Sequence, residues 1–255
     1  MRYVKGFYMS LGMFCAIPLP FHIWDEKYTA LMVASFPLVG AVVGALWWLV
    51  AWGLVVLDIP LMLAAAALTL APFFIAGVIH LDGYMDASDA LLSRRPLEDR
   101  LRILKDPLVG AFAVVMLVIL MIFQFAAAYT VAGGRRYLML LAFIPVISRC
   151  CSTLAILSLK HLEISNYTQM LAKDAKPAHK VFVTMLLLAA VGGSFLYAGL
   201  LGLLVAGGVI LGYCLAMAYV FRDFKGVSGD LLGYSLVIGE LCGLLALALI
   251  QNLYL

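Results

Sequence analysis

VFVTMLLLAAVGGSFLYAGLLGLLVAGGVILGYCLAMAYVF, residues 181–221, contains no Asp, Glu, Lys or Arg. One helix of that length, rising 1.5 Å per residue, would overshoot a hydrocarbon core of about 30 Å roughly twofold. The stretch therefore predicts two membrane spans, 181–198 and 202–221, hinged near Gly199. Five further apolar runs flank them, at 30–57, 61–79, 108–132, 137–159 and 231–254. The composition agrees: 65% of residues are hydrophobic, 12% are charged and the mean hydropathy is +1.09. Soluble domains lie nearer half apolar and about a quarter charged. The chain is thus expected to be an all-α polytopic integral membrane protein with about seven transmembrane helices. Residues 1–255 read as one transmembrane catalytic domain. Within it, 1–28 form an interfacial or re-entrant segment that breaks at Pro18 and Pro20, and 80–107 form a cytoplasmic Asp-rich segment.

A net charge of +3 is too small and too dispersed to suggest a nucleic-acid partner. The five cysteines show no metal-ligand spacing. The Gly and Pro breaks do not recur in two halves, which argues against a repeat-built carrier. The basic residues set the orientation. With the N-terminus inside, fourteen of the 17 Lys and Arg fall on the cytoplasmic side, only Arg135 and Arg136 fall outside, and Arg149 lies within a span. The expected location is the cytoplasmic (inner) membrane, with lipid as the surrounding partner. Homo-oligomerisation is left open.

The segment HLDGYMDASDALLSRRPLEDRLRILKDPLVG, residues 80–110, carries the chemistry. Asp82, Asp86 and Asp89 follow i, i+4, i+7 spacing, so a helix would place them on one face. Like charges there repel, and repulsion is stronger at a membrane boundary. A divalent cation would offset it, and an all-oxygen donor set selects Mg²⁺, Mn²⁺ or Ca²⁺. Solvated helix ends usually mix charges, whereas this stretch has no Lys or Arg before Arg94. Gly83 would let a phosphate approach the helix backbone. Asp106 reads both as an N-cap with Pro107 at the first helical position and as a further ligand. Arg94, Arg95, Arg100, Arg102 and Lys105 are phosphate-clamping candidates, although topology explains part of that basic run. His80, at a span end, reads first as a structural hydrogen-bonding residue; beside three acids its protonated form would be favoured, which would let it contact phosphate or tune a carboxylate.

Two charges fall inside spans. Arg149 in ISRCCS and Glu240 in GELCG each cost about 2.5–3.5 kcal/mol at a helix centre. They read either as a structural pair or as separate contacts, Arg149 to an anionic substrate and Glu240 to a metal or a basic partner. FRDFKGVSGDLLG, with Ser228 and Asp230, reads either as a cytoplasmic turn in which Asp230 caps the last span or as a Gly-lined loop that brings Asp230 towards the first cluster.

Acids on a helix face, cytoplasmic bases and no nucleophile–base pair suit metal-assisted transfer between phosphorylated substrates. Spacing alone leaves a nucleoside-diphosphate-alcohol phosphotransferase and a membrane prenyltransferase both open, with a small transporter as a non-enzymatic alternative. HLDGYMDASDAL, KDPLVGAF, Ser148–Arg149 and SGDLLG…GEL, with FPLVGAVVG at 36–44 and the early IPLP, resemble adenosylcobinamide-GDP ribazoletransferases over essentially the whole chain. That resemblance implies attack by a ribose hydroxyl of α-ribazole, or of its 5′-phosphate, on the cobinamide-side phosphorus of adenosylcobinamide-GDP. GMP would leave and adenosylcobalamin, or its 5′-phosphate, would form. It further implies a Mg²⁺ requirement, with Mn²⁺ as a substitute. Asp82, Asp86, Asp89 and Asp106 would be metal ligands, His80 and Lys105 catalytic groups, and Gly83, Arg94, Arg95, Arg102, Arg149, Ser228, Asp230 and Glu240 substrate contacts.

Overall fold

A computed structural model describes residues 2–163 and 165–253. The last residue of the final expected span, 254, lies outside the described residues. Twelve α-helices are found among those described. The N-terminal segment gives α1 (Arg2–Phe14), which at 13 residues is too short to span, and a short α2 (Thr29–Ala34). The first expected span is broken at Ser35: its membrane-length part is α3 (Phe36–Val56), with Pro37 in its first turn. There follow α4 (Leu61–Ala76), α5 (Ile79–Leu92), α6 (Leu97–Ile103), α7 (Ala111–Gly134) and α8 (Leu140–Ser158). The last elements are α9 (Asn166–Ala172), α10 (Pro177–Ala198), α11 (Leu200–Phe224) and α12 (Gly229–Leu253). The division of 181–221 falls at Gly199, where a positive φ of 59° separates α10 from α11.

Six of these helices, α3, α7, α8, α10, α11 and α12, are long and apolar enough to cross a membrane. By length and composition a seventh crossing is reached only if the bent pair α4 and α5, whose axes turn by 97°, counts as one span. Gly77 makes the turn at φ 77°, a left-handed conformation that suits a residue without Cβ. The second expected span, 61–79, therefore ends earlier, at Ala76. At 14 residues α5 is too short to span; we read it as lying along the membrane boundary, outside the spans.

α8 is the most buried of the long helices and α12 the next. α12 lies against α5, α7, α8 and α11. Helix contact in a bilayer depends on small residues that let backbones approach. Gly40 and Gly44 of α3 sit on α8 in this way: a Cβ at either would collide with the carbonyls of Pro145 and Ala142. Pro72, inside α4, has no N–H for the Leu68 carbonyl four residues earlier. The indole Nε1–H of Trp47 donates to that oxygen at 2.9 Å, joining α3 to α4.

The loops sort to two sides. Arg135 pairs with Asp58 at 2.9 Å, linking the two turns expected outside. Arg100 of α6 pairs with Asp223 of α11 at 2.9 Å at the other end and lies over the Phe224 ring. There the chain after α8 is also pinned to the chain before α12: Val227 N–H donates to Lys160 O at 2.9 Å and Leu162 N–H to Val227 O at 3.0 Å.

Candidate active site

Asp82, Asp86 and Asp89 lie on α5, as their spacing predicts. Asp230 joins them from the first turn of α12. The two helices meet with almost no gap: a Cβ at Gly83 would come within 2.8 Å of the Asp230 Cα, and one at Gly233 within 3.2 Å of the His80 carbonyl. This corrects the reading of Gly83. Its bare backbone is buried and admits α12, not a phosphate. Ser228 caps α12, its Oγ accepting the Leu231 N–H at 3.3 Å. Because Ser228 makes the cap, Asp230 is left to face α5, and the Ser228 hydroxyl donates weakly to its carboxylate at 3.4 Å.

The acids sense one another. Asp86 is pushed up to about 6, first by desolvation and then by the charges of Asp82, Asp230 and Asp89. Among the described residues, no ion pair involves any of the four. Nor does any group of three or more His, Cys, Asp or Glu close into a ready-made metal cage among them. The shared face is therefore real, but the three α5 acids are not drawn onto one point. The Asp89 carboxylate lies against Gly110, the residue before α7.

Asp106 departs from expectation. α7 begins at Ala111 with Gly110 in the cap position, so Asp106 is not its N-cap. It is exposed, and its Oδ1 accepts the Leu108 N–H at 3.0 Å in a turn of its own. Lys105, Arg94, Arg95 and Arg102 are exposed as well. Arg102 makes only a 3.5 Å contact with Asp99.

His80 also differs from its expected state. It lies beside Phe14 (ring centroids 6.0 Å apart) and Phe36 (5.6 Å). Desolvation, reinforced by the Arg149 charge, drives it down to about 3, so the ring is neutral. The residue as a whole is only partly buried, yet its Nε2 is shielded and lacks a hydrogen-bond partner. Sequence spacing brought the acids into view but not Arg149 or the two phenylalanines, which arrive from α8, α1 and α3.

Arg149 and Glu240 form the pair that was one of their two readings. Arg149 Nη1 donates to Glu240 Oε1 at 2.6 Å and to the Pro145 carbonyl at 3.2 Å, and the Ser148 hydroxyl donates to the same Glu240 oxygen at 2.8 Å. The guanidinium lies 5.4 Å from the Phe36 ring centroid. Arg149 is 1% exposed. Glu240 is thus engaged by Arg149 and Ser148.

Beside the acids, α1, α2, α3, α5, α8, α9 and α12 line a cavity of about 300 Å³. Phe14, Phe36, His80, Ser152, Thr153, Thr168 and Asp230 are among its lining. Of these, only His80 and Asp230 were legible beforehand. The hydroxyls of α8 and α9 carried no spacing signal.

Residues 6–248 match the family described as cobalamin-5-phosphate synthase. The chain is similar to the adenosylcobinamide-GDP ribazoletransferase of Clostridium botulinum (strain Alaska E43 / Type E3), with 36% identity over 96% of this chain and 97% of that one. The protein of the same name from C. botulinum (strain Eklund 17B / Type B) is 37% identical over 96% and 97%. That of Listeria monocytogenes serovar 1/2a is 29% identical over 98% of this chain and all of its own. No solved structure matches the chain.

Proposed function

The chain belongs to the cobalamin-5-phosphate synthase family, and we propose that it joins adenosylcobinamide-GDP to α-ribazole or α-ribazole 5′-phosphate with release of GMP. The full-length likeness to proteins named as ribazoletransferases carries this reading. It makes the chain a transferase, and the carrier alternative falls away. A ribose hydroxyl of ribazole attacks the cobinamide-side phosphorus. The new O–P bond forms as the bond to the bridging oxygen breaks, GMP carries that oxygen away, and the hydroxyl proton passes to a carboxylate of the cluster.

The boundary acids are where this chemistry belongs. The donor set fits Mg²⁺, which takes one or two carboxylates, keeps several waters and completes its shell with substrate phosphates rather than needing a protein cage. Asp82, Asp86 and Asp230 would hold it, with Asp89 on the same helix beside them. Such an ion supplies charge neutralisation on the diphosphate and lowers the pKa of the attacking hydroxyl. Asp230, in the first turn of α12, also sets a helix N-terminus beside the anionic substrate. Lys105, Arg94, Arg95 and Arg102, exposed on the neighbouring segment, would fold over the diphosphate as charge-assisted donors. Asp106 stands with them on that segment. Neutral His80 and the Arg149–Glu240 pair would stiffen the floor beneath.

We place the protein in the cytoplasmic membrane with this end facing the cytoplasm, because the basic loops concentrate there. The test is turnover by the purified protein in detergent. Adenosylcobinamide-GDP and α-ribazole should give stoichiometric GMP and adenosylcobalamin with Mg²⁺, and neither product in excess EDTA. No GMP in the presence of Mg²⁺ would defeat the reading.

A further inference from the structure

We propose that the cavity of about 300 Å³ beside Asp230 is the seat of the ribazole base, so that the acceptor approaches the acids from within the bundle while the corrinoid stays outside it. The inference rests on the reaction proposed above and adds which substrate goes where.

Size makes the first cut. Pockets that enclose small ligands run from about 300 to 1,000 Å³, and this one lies at the bottom of that range. A nucleoside-sized molecule with a flat bicyclic base suits it. A corrin macrocycle with its side chains and a nucleoside diphosphate does not. Surface chemistry makes the second cut. One wall is aromatic: Phe14 and His80 lie nearly parallel, with 15° between their planes, and Phe36 is tilted against both. Such a wall offers stacking to a planar ring. The hydroxyl oxygens of Ser152, Thr153 and Thr168 are the few polar groups of an otherwise apolar site; Thr153 donates to Val33 O at 3.4 Å and Thr168 to Ser165 Oγ at 2.8 Å, so these two offer a ligand their lone pairs. Continuity makes the third cut. Asp230 lines the cavity, and its backbone packs directly on Gly83 of α5, next to Asp82. A base seated on the aromatic wall would therefore carry its ribose towards the acids that bind the diphosphate.

Equilibrium binding of α-ribazole to the purified full-length protein tests this, with adenosylcobinamide-GDP binding measured in parallel. Ile156→Phe fills the cavity. Ile79→Trp, at an exposed position on its rim, narrows the mouth with little risk to folding. Affinity for α-ribazole should fall about tenfold or more in both variants, and affinity for adenosylcobinamide-GDP should stay within about twofold. Unchanged α-ribazole binding in a folded variant would overturn the proposal, and so would an equal loss for both substrates. Phospholipid retained in wild type, lost in Ile156→Phe and not displaced by α-ribazole would overturn it too, by showing an acyl chain in the cavity. A wild-type protein that binds α-ribazole with this dependence but releases no GMP would defeat the reaction and leave the pocket standing.

Discussion

The two acidic regions of this protein are built on opposite terms. Deep in the bundle, Glu240 is answered at once, by Arg149 at 2.6 Å and the Ser148 hydroxyl at 2.8 Å. At the membrane boundary, Asp82, Asp89 and Asp230 crowd Asp86 with negative charge, with no ion pair to any of the four among the described residues. A self-satisfied charge pair makes a scaffold, because neither partner is free to meet a ligand. A cluster left short of positive charge is poised for a cation and for the substrate that arrives with it. Placement follows the same logic: desolvation is most costly at the bilayer centre, and water and substrates reach the edge.

The comparison breaks most easily at its acid end. Asp82→Asn and Asp86→Asn keep size and remove charge. Turnover, read as GMP release, should fall by roughly 10²- to 10⁴-fold while the protein still inserts and melts cooperatively. Near-normal turnover in both would remove the reason to call the boundary cluster a site.

The scaffold end should respond in stability instead. Arg149→Met leaves the largely buried Glu240 without its cation and with only the Ser148 hydroxyl, which costs about 3 kcal/mol. Arg149→Met combined with Glu240→Met should recover much of that loss and retain turnover, since replacing a buried pair by apolar residues is often neutral. Thermal unfolding in detergent reads the first effect and GMP release the second. A double variant that melts normally but is inactive would move Arg149 from scaffold to substrate contact.

Gly83→Ala changes no charge yet should matter, because its Cβ meets the Asp230 backbone at 2.8 Å. Overpacking of this kind costs about 1–3 kcal/mol and should lower turnover by displacing Asp230. Wild-type turnover would mean that the contact between α5 and α12 does not set the site.

Proton competition gives a subtler effect. The Asp86 carboxyl is raised in the folded protein from 3.8 to about 6. The folded state therefore holds a proton that the unfolded chain releases, and metal-free stability should decline as pH rises from about 4 to about 6. Above that range the charged form is fully present and Mg²⁺ should bind more tightly, restoring the melting temperature. Asp86→Asn should flatten both trends. A melting temperature independent of pH with Mg²⁺ absent would contradict the assignment. The smallest effect is expected at Arg102, exposed and only loosely paired with Asp99. Arg102→Ala should change stability by less than about 0.5 kcal/mol.

Sequence exposed the parts governed by short range. Hydropathy found the long helices, and i, i+4, i+7 spacing found the shared face of α5. What it missed depends on neighbours distant along the chain. His80 is neutral because α1 and α3 wall it in and α8 brings Arg149 near. Asp106 looked like a cap because Asp–Pro is a good helix start, but α7 begins five residues later, at Ala111. The cavity hydroxyls gave no signal, since Ser and Thr in an apolar helix look alike whether they face a ligand or a carbonyl.

The junction of Gly83 with Asp230 also orders events in time. Synthesis delivers α5 early, but the surface it packs on, α12, leaves the ribosome only after α6 to α11. Until α12 has inserted, the three carboxylates of α5 have no fourth partner and the cavity beside them lacks a wall. A chain interrupted before residue 229 would hold most of its membrane helices and none of its assembled chemistry. Half-made protein in the bilayer would thus be kept from acting on a costly nucleotide-activated substrate.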